Sequence, residues 1–522
     1  MMVAAAVFLP MAILYHPATG WNVNTRLALL FAVADRGTFS IDGYHEDPPM
    51  ETEDKAFFDG KHYSDKIFGV TLLALPAYWL GQRITGERIR FHGAHFLVKA
   101  WAVALPGGIA AGLFFLLLAR TGTPPRLAIA ATAAAVFGTL WFGYGSVFFP
   151  YVPGIACALG ALFLTLFPPA RRLTIGNCLA VGFLLGYALL CDLLFAFTVF
   201  GIGVIWLMRL LDQLGVAGSR AFAEMAGERS RLRETVILSV VFWVGVLIPV
   251  GLFAAYCYSI FGRVSLPYEY EVNERFREGM SRGLMGATMP KAHALWFLTL
   301  HPFRGIFFWS PVVVAALAGC ALGLRQYGKR WLLGALGLWC FVSYLVFNAG
   351  YYMWWGGWGM GPRFLLPGLP FALLGIGELL REGKLSAFER RPSLAPIARR
   401  IALGLGALSI AMSLPVSIYD PQISQGNQDD ALMALTLSSQ PTVPQFRAAV
   451  SVYTGGVNPW TARQDAGSMP TNLLGLLLFL AIPAGLLWLA ARAAPKSLPH
   501  LARADFPFRT IDGTAAPPPP IP

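Results

Sequence analysis

Residues 235–262 read TVILSVVFWVGVLIPVGLFAAYCYSIFG, an apolar run without a charged side chain. About 20 such residues are enough for a helix to cross the hydrocarbon core of a bilayer. Similar runs recur along the whole chain of 522 residues, with short loops between them. The chain is 56% hydrophobic, and its 13% of charged residues is about half the share found in soluble domains. The sequence therefore predicts an all-α polytopic membrane protein.

The apolar runs set the expected number of transmembrane helices. Residues 1–15 are interpreted as the end of a first span. The run 178–208 has room for two short helices, and Pro106-Gly107-Gly108 can break the run around it. We therefore expect a bundle of 12 or 13 transmembrane helices. The other predicted spans are about 67–82, 94–119, 127–143, 151–167, 235–262, 307–324, 331–348, 363–380, 401–418 and 471–491.

The net charge of +12 comes mainly from basic residues in short loops between the runs. This pattern indicates membrane topology, because cytoplasmic loops are enriched in Lys and Arg; we expect no nucleic-acid partner. The basic loops 208–234, 325–330 and 381–400 are predicted to be cytoplasmic. The loops 16–66, 263–306, 349–362 and 419–470 are then predicted to face outward.

The chain is predicted to have three parts. Residues 1–380 form a catalytic transmembrane module, and residues 381–491 add C-terminal transmembrane helices. Residues 492–522, which end in PPPPIP, are expected to be a disordered cytoplasmic tail.

The first outer loop, residues 16–66, is the main polar feature of the chain. It holds nine of the 28 acidic residues and is too long for a simple connection. Residues 24–36 have helical apolar spacing, which is compatible with a helix lying flat on the membrane surface. A membrane protein that gathers carboxylates in one loop is expected to use them for chemistry or for cation binding.

Three outer patches carry the candidate site residues. Loop carboxylates can deprotonate a hydroxyl acceptor, Arg and Lys can hold a phosphate, and aromatic rings beside glycines suit sugars or a lipid chain. The candidate catalytic residues are Asp54 and Asp65. The candidate phosphate ligands are Lys66, Arg304 and Arg363, and the candidate substrate-binding residues are Tyr63, His62, Tyr268, Trp354, Trp355 and Trp358.

Four short motifs carry a resemblance to a known superfamily. They are Asp54-Lys55-Ala56, Tyr63-Ser64-Asp65-Lys66-Ile67-Phe68-Gly69, Arg304-Gly305-Ile306-Phe307 and the Trp- and Gly-rich segment 354–363. In this order they resemble bacterial GT-C membrane glycosyltransferases, relatives of the protein O-mannosyltransferases and aminoarabinose transferases. The resemblance covers about residues 1–380. It implies a GT-C-like bundle in the bacterial inner membrane, with its active face periplasmic or extracellular.

The resemblance also implies an activity. Such enzymes move a sugar from a polyprenyl-phosphate carrier to a lipid, glycan or protein acceptor, with inversion at the anomeric carbon. By analogy with the aminoarabinose transferases, Lys66 would contact the donor phosphate. Many members place a catalytic Asp after the first helix, whereas the matching stretch here is Asn22-Val23-Asn24-Thr25-Arg26. We therefore assign the base to Asp54, with Asp65 in support.

Other interpretations of the same residues stay open. The loop carboxylates can be solvated, Lys66 can reach toward the interface, and the aromatic cluster can be an interfacial belt. Asp192 lies within an apolar run, where a carboxylate is either functional or paired with a neighbouring helix. The alternative functions are a secondary transporter and a catalytically inactive scaffold.

Cofactors are not expected from the spacing of ligand residues. The six cysteines lie in apolar segments without metal spacing, and the acidic run from Glu46 to Glu53 matches no EF-hand. The sequence predicts no metal site, although those carboxylates could bind a divalent cation weakly.

Overall fold

The computed structural model describes most of the chain. The described residues are 1–17, 19–213, 229–382, 387–389, 391–422, 444–454, 457–458, 463–464 and 469–494. The predicted tail beyond residue 494, much of loop 419–470 and the middle of loop 208–234 lie outside the described residues.

The described chain is almost entirely helical. Its helices are α1 (Met2–Ile13), α2 (Trp21–Arg36), α3 (Gly69–Thr85), α4 (Phe91–Arg120), α5 (Pro125–Phe137), α6 (Leu140–Gly145), α7 (Tyr151–Leu166), α8 (Ile175–Cys191), α9 (Leu193–Gln213), α10 (Arg229–Phe261), α11 (Glu274–Ser281), α12 (Ala292–Thr299), α13 (Ile306–Trp309), α14 (Val312–Gly323), α15 (Lys329–Gly350), α16 (Leu369–Leu380), α17 (Leu394–Tyr419), α18 (Pro444–Tyr453) and α19 (Met469–Ala493). Its short strands are β1 (Lys55–Phe58), β2 (Lys61–Ser64), β3 (Val457–Asn458) and β4 (Arg463–Gln464).

Six helices in the described part are long and apolar enough to cross a membrane, by length and composition: α4, α9, α10, α15, α17 and α19. Six more apolar helices are shorter: α1, α5, α7, α8, α14 and α16. The outer surface of the bundle is apolar. On α10, for example, Trp243 is 58% and Leu247 is 59% exposed. An apolar surface of this size promotes aggregation in water, whereas in a bilayer it contacts the lipid chains. The prediction of an all-α polytopic membrane protein is confirmed.

The sequence indicated two possible helix breaks, and the structure contains only one of them in the described part of the chain. The run 178–208 does divide, because Asp192 is extended and its Oδ1 accepts from the Leu194 N–H at 2.9 Å, which starts α9. The expected break at Pro106-Gly107-Gly108 is wrong, since α4 continues through it. A π-helical turn at Ala100–Ala104 directly precedes the proline, and this wider turn accommodates a residue without an N–H.

Helix α2 covers the predicted helical segment 24–36 but is not a surface helix. Residues Val23 to Ala32 are buried within the protein. The ring of Phe31 packs 5.3 Å from that of Tyr78 on α3. The first outer loop therefore begins with a helix that is part of the core.

Strands β1 and β2 form an antiparallel hairpin in the first outer loop. Its two-residue turn is Asp59-Gly60, with φ of 47° and 75°, a pair that favours the tight turn of a twisted hairpin. Lys55 pairs with Ser64 at the open end of the hairpin. The residues that immediately flank this pair are Asp54 and Asp65, so the hairpin register brings the two predicted catalytic carboxylates to the same end.

The later outer loops gather around the same end of the bundle. The Thr288 N–H donates to the Gly350 carbonyl at 2.9 Å, and the Met360 N–H donates to the Pro421 carbonyl at 2.9 Å. The opposite end of α15 carries Arg330, whose Nε donates to both carboxylate oxygens of Glu378 at 3.1 Å. The predicted outer and cytoplasmic loops thus lie at opposite ends of the helices.

Candidate active site

The open end of the β1–β2 hairpin carries an ion-paired cluster. Lys66 Nζ lies 3.1 Å from Asp54 Oδ2 and also pairs with Asp65 Oδ2. Asp65 is 1% exposed and Asp54 is 8% exposed. The ammonium of Lys66 therefore forms ion pairs with two buried carboxylates, and Asp54 is the more exposed of the two.

Glu271 joins this cluster from the loop after α10. Its segment lies beside β1, where the Val272 N–H donates to the Lys55 carbonyl at 2.9 Å and Glu271 forms a bridge with Ala56. Glu271 is 1% exposed, and neither of its carboxylate oxygens finds a hydrogen-bond donor in the described part of the chain. The carboxyl of Asp65 lies within hydrogen-bond reach, a contact that becomes a bond only when one of the two carries a proton.

Burial and the neighbouring charges together set the pKa values of the groups in this cluster. Burial raises the pKa of Glu271 to about 10, and the negative charge of Asp65 adds to the rise. Burial also raises the pKa of Asp65, against the opposing effect of the Lys66 ammonium. Burial alone would lower the pKa of Lys66, but the carboxylates of Asp54 and Asp65 outweigh it and hold the pKa well above its usual value. At neutral pH the cluster therefore holds a charged Lys66 and a proton shared between Asp65 and Glu271.

The cluster faces a cavity of about 900 Å³ at the end of the bundle that carries the predicted outer loops. Besides Asp54, Asp65, Lys66 and Glu271, its wall contains Arg26, Asp192 and Arg363. The guanidinium groups of Arg26 and Arg363 lie 5.9 and 5.6 Å from the ring centre of Phe149. The Nε of Arg363 is buried and has no hydrogen-bond partner among the described residues. With Arg275, which also lines the wall, four cations from distant parts of the chain thus reach one cavity.

Aromatic side chains line the same cavity. Lys66 Nζ lies 5.5 Å from the ring centre of Tyr268, and the Arg275 guanidinium lies 6.0 Å from that of Trp355. Trp358 is 54% exposed at the wall. The structure therefore brings together seven of the predicted site residues: Asp54, Asp65, Lys66, Arg363, Tyr268, Trp355 and Trp358.

The other four predicted residues do not line this cavity. Arg304 is fully buried under the Gly-rich segment, where its guanidinium donates to the carbonyls of Gly357 at 2.6 Å, Gly361 at 3.0 Å and Gly359. It supports the segment that carries Arg363: the carbonyls take donors of both Nη atoms, whereas Nε is buried without a partner among the described residues.

Trp354 is 6% exposed and packs against Phe297 in a small separate core. Tyr63 packs edge-on against Phe261, with ring centres 6.2 Å apart. His62 Nδ1 lies 2.9 Å from Asp42 Oδ1, and neither of these residues lines the cavity. These three side chains have structural partners instead of facing the cavity.

The stretch that lacks the expected carboxylate also lies at the cavity. Asn22 and Asn24 are in its wall. The Asn24 amide donates to the Glu51 carbonyl at 2.8 Å, and the Asn22 backbone carbonyl accepts from Arg26 Nη1 at 2.6 Å. This chain therefore offers amides and a guanidinium where the resemblance leads one to expect an acid.

Sequence reasoning missed three residues of the cavity wall as site residues. Arg26 was noted only as the end of a motif, Asp192 only as a buried acid, and Glu271 was not selected. Asp59-Gly60 was a local signal that could have revealed the hairpin and the pairing of Asp54 with Asp65. No local signal separates Glu271 from the other acids of its loop.

Comparisons with known proteins add solved structures of similar fold. No protein-family model and no curated protein matches the chain. The chain is similar to ArnT from Cupriavidus metallidurans bound to undecaprenyl phosphate, with 15% identity and a TM-score of 0.44 over 96% of this chain and 76% of that one. It is also similar to the archaeal oligosaccharyltransferase AglB from Archaeoglobus fulgidus in complex with an inhibitory peptide and a dolichol-phosphate. That match has 13% identity and a TM-score of 0.41 over 85% of this chain and 60% of the other.

At these identities and TM-scores the activity has to be argued from the site of this protein.

Proposed function

We propose that the protein is a membrane glycosyltransferase that moves a sugar from a polyprenyl-phosphate donor to an acceptor on the outer face of the membrane, with inversion. The acceptor is a lipid, glycan or protein that offers a nucleophilic hydroxyl or amine. The observation that carries the proposal is a cavity whose wall combines five carboxylates, Asp54 among them, with four cations and several aromatic rings.

The cations suit the phosphate end of such a donor. When the bond between the sugar and the phosphate breaks, negative charge develops on the departing phosphate oxygen. Lys66 supplies a point charge, whereas Arg26 and Arg363 supply planar forks that match phosphate oxygens. Because these groups are largely buried, their interaction with the developing charge is stronger than it would be in water.

Asp54 is the best-supported general base. Its Oδ2 is held by Lys66, and it is more exposed than Asp65, which is 1% exposed. In the proposed step, Asp54 accepts the proton of the acceptor hydroxyl. The acceptor oxygen bonds to the anomeric carbon while the bond to the phosphate oxygen breaks, and that oxygen keeps the electron pair. A single displacement of this kind inverts the configuration.

Asp65 and Glu271 position the lysine in this mechanism. Asp65 forms a second ion pair with Lys66 besides that with Asp54, and the proton shared with Glu271 limits the negative charge of the cluster. A fully ionised set of Asp54, Asp65 and Glu271 would oppose the approach of a phosphate. The shared proton therefore favours binding of an anionic donor.

The proposed location is a bacterial cytoplasmic membrane, with the cavity on the periplasmic or extracellular face. The basic loops at the other end of the bundle support this orientation. The buried cluster of Arg330, Glu378 and Arg381 lies at that end, next to loops predicted to be cytoplasmic. We propose no cofactor for the sugar transfer itself.

Reconstitution into liposomes with a radiolabelled polyprenyl-phosphate sugar and an envelope acceptor fraction tests the proposal. Asp54→Asn should reduce transfer at least about 100-fold, the usual scale for a positioned proton acceptor. Asp47→Asn is the matched control, because Asp47 is exposed in the same loop and does not line the cavity.

The outcome also separates the alternative functions. Transfer that survives Asp54→Asn would overturn the assignment of the base. Solute flux without transfer would support a transporter, and absence of both in the unchanged protein would support an inactive scaffold.

A further inference from the structure

A second cluster of polar residues lies away from the cavity, between the segment 40–46 and strand β2. It consists of Asp42, His45 and His62, whose possible ligand atoms all lie within 4.8 Å of one another. Asp42 Oδ1 lies 2.9 Å from His62 Nδ1 and 3.5 Å from His45 Nε2. None of the three residues lines the cavity of the proposed active site.

His45 has a feature that a simple hydrogen-bonded cluster does not require. It is 2% exposed, and its Nε2 is buried without a hydrogen-bond partner in the described part of the chain. Carboxylate oxygens of Asp42 and Glu46 lie 3.5 and 3.8 Å from this nitrogen. An unsatisfied buried nitrogen is costly, and it is aimed at the centre of the cluster.

The surroundings hold the carboxylate in place. The Ser40 hydroxyl donates to Asp42 Oδ2 at 2.6 Å, and the His62 backbone N–H donates to Oδ1 at 3.2 Å, so Oδ1 is held where it faces both imidazoles. Metal-binding carboxylates are commonly oriented in this way by an outer hydrogen bond. The Ile41 N–H also donates to the His62 carbonyl at 2.9 Å, which fixes the spacing between the two segments.

We propose that Asp42, His45 and His62 bind a zinc ion that fastens the segment 40–46 to strand β2. Two imidazoles and one carboxylate suit zinc better than magnesium or calcium, which prefer oxygen ligands. Glu46 is exposed and close enough to supply the fourth ligand of a tetrahedral site. The site differs from the weak carboxylate site considered from the sequence, because histidines dominate it.

Zinc binding requires a defined change at His45. Its Nδ1 lies 3.4 Å from Lys55 Nζ, which is also 3.5 Å from Glu53. When zinc takes Nε2, the ring proton moves to Nδ1, and Lys55 keeps Glu53 as its partner. No oxidant or further reactant is involved.

The role of the ion would be structural. His62 lies three residues before Asp65 on the same arm of the hairpin, so fastening this arm steadies the cluster that faces the cavity. The inference does not depend on the proposed transferase activity, because metal binding is measured without any substrate.

The experiment measures zinc and cobalt in the full-length, tag-free protein in detergent, after loading and dialysis. We expect one zinc per chain by elemental analysis and the absorption bands of tetrahedral cobalt. His45→Ala and His62→Ala should each remove the stoichiometric metal. Ser40→Ala, which removes only the hydrogen bond to Asp42, should weaken binding about ten-fold.

His92→Gln is the matched control, since His92 is exposed and contacts Tyr15 instead of the cluster. It should bind zinc like the unchanged protein. Absence of stoichiometric zinc from the folded, unchanged protein would overturn the proposal. Equal zinc in His45→Ala, His62→Ala and the unchanged protein would overturn it as well, because the metal would then be bound elsewhere.

Discussion

Replacing Glu271 by glutamine should stabilise the protein increasingly as the pH rises, relative to the unchanged chain. Glu271 is 1% exposed and has no donor for its carboxylate oxygens among the described residues. The folded protein must therefore keep this carboxyl protonated. Glutamine has the same shape, and its amide can donate to the unpartnered Oδ1 of Asp65. The variant therefore keeps the packing around residue 271 and removes the carboxyl group that titrates there.

The magnitude follows from the proton that the folded state holds. Burial raises the folded-state pKa of Glu271 to about 10, whereas a glutamate in an unfolded chain titrates at about 4.3. Between these values the folded state binds a proton that the unfolded state releases, so stability is lost as the pH rises. The loss is at most about 1.4 kcal/mol per pH unit. From about pH 5.5 to about pH 7.5, the advantage of the variant should grow by up to about 2.7 kcal/mol.

The assay is unfolding of both proteins in one detergent at these two pH values. Glu274→Gln is the control, because Glu274 lies three residues further along and is exposed. If the difference in unfolding free energy between Glu271→Gln and the unchanged protein is the same at both pH values, the reasoning that the buried carboxyl is neutral is refuted. A difference that shrinks as the pH rises would refute its sign.

Three further substitutions test other parts of the site. Arg363→Lys should raise the donor KM about ten-fold, because an ammonium cannot replace the planar fork; an unchanged KM in liposome assays would contradict a phosphate role. Arg304→Lys should cost about 2–4 kcal/mol in thermal unfolding, since it loses charged hydrogen bonds to the Gly-rich segment, while the donor KM of the folded protein stays unchanged. Gly361→Ala should cost about 1–2 kcal/mol, because φ is +54° and a Cβ would lie 2.5 Å from the Leu140 side chain. Gly404→Ala, with open space around it, should be neutral or stabilising in the same unfolding assay.

The helical fold could be predicted because the bilayer imposes it on each apolar run separately. A run such as 235–262 has no way to satisfy its backbone in lipid except as a helix. The predictions for α2 and α4 were wrong because the structure at these points depends on contacts with other segments. The burial of α2 needs α3 to cover it, and the continuous path of α4 needs a π-helical turn before Pro106.

The candidate site was only partly visible in the sequence. The pairing of Asp54 with Asp65 was not predicted, although Asp59-Gly60 is a local turn signal that sets the hairpin register. Arg304 and Arg363 could not be told apart, since each is an arginine within two residues of a glycine in a predicted outer segment. The structure separates them, because carbonyl oxygens occupy Arg304 whereas Arg363 lies in the cavity wall.

By itself, the sequence determined the class of the protein and predicted that its long polar loops gather at one end of the helices. Both follow from local properties: the length of the apolar runs, the charge of the loops and the turn residues of one hairpin. Only the tertiary structure decided that Glu271 and Arg26 join Asp54, Asp65 and Lys66. These residues lie far apart in the chain, and their contact depends on how the helices pack, which no local pattern encodes.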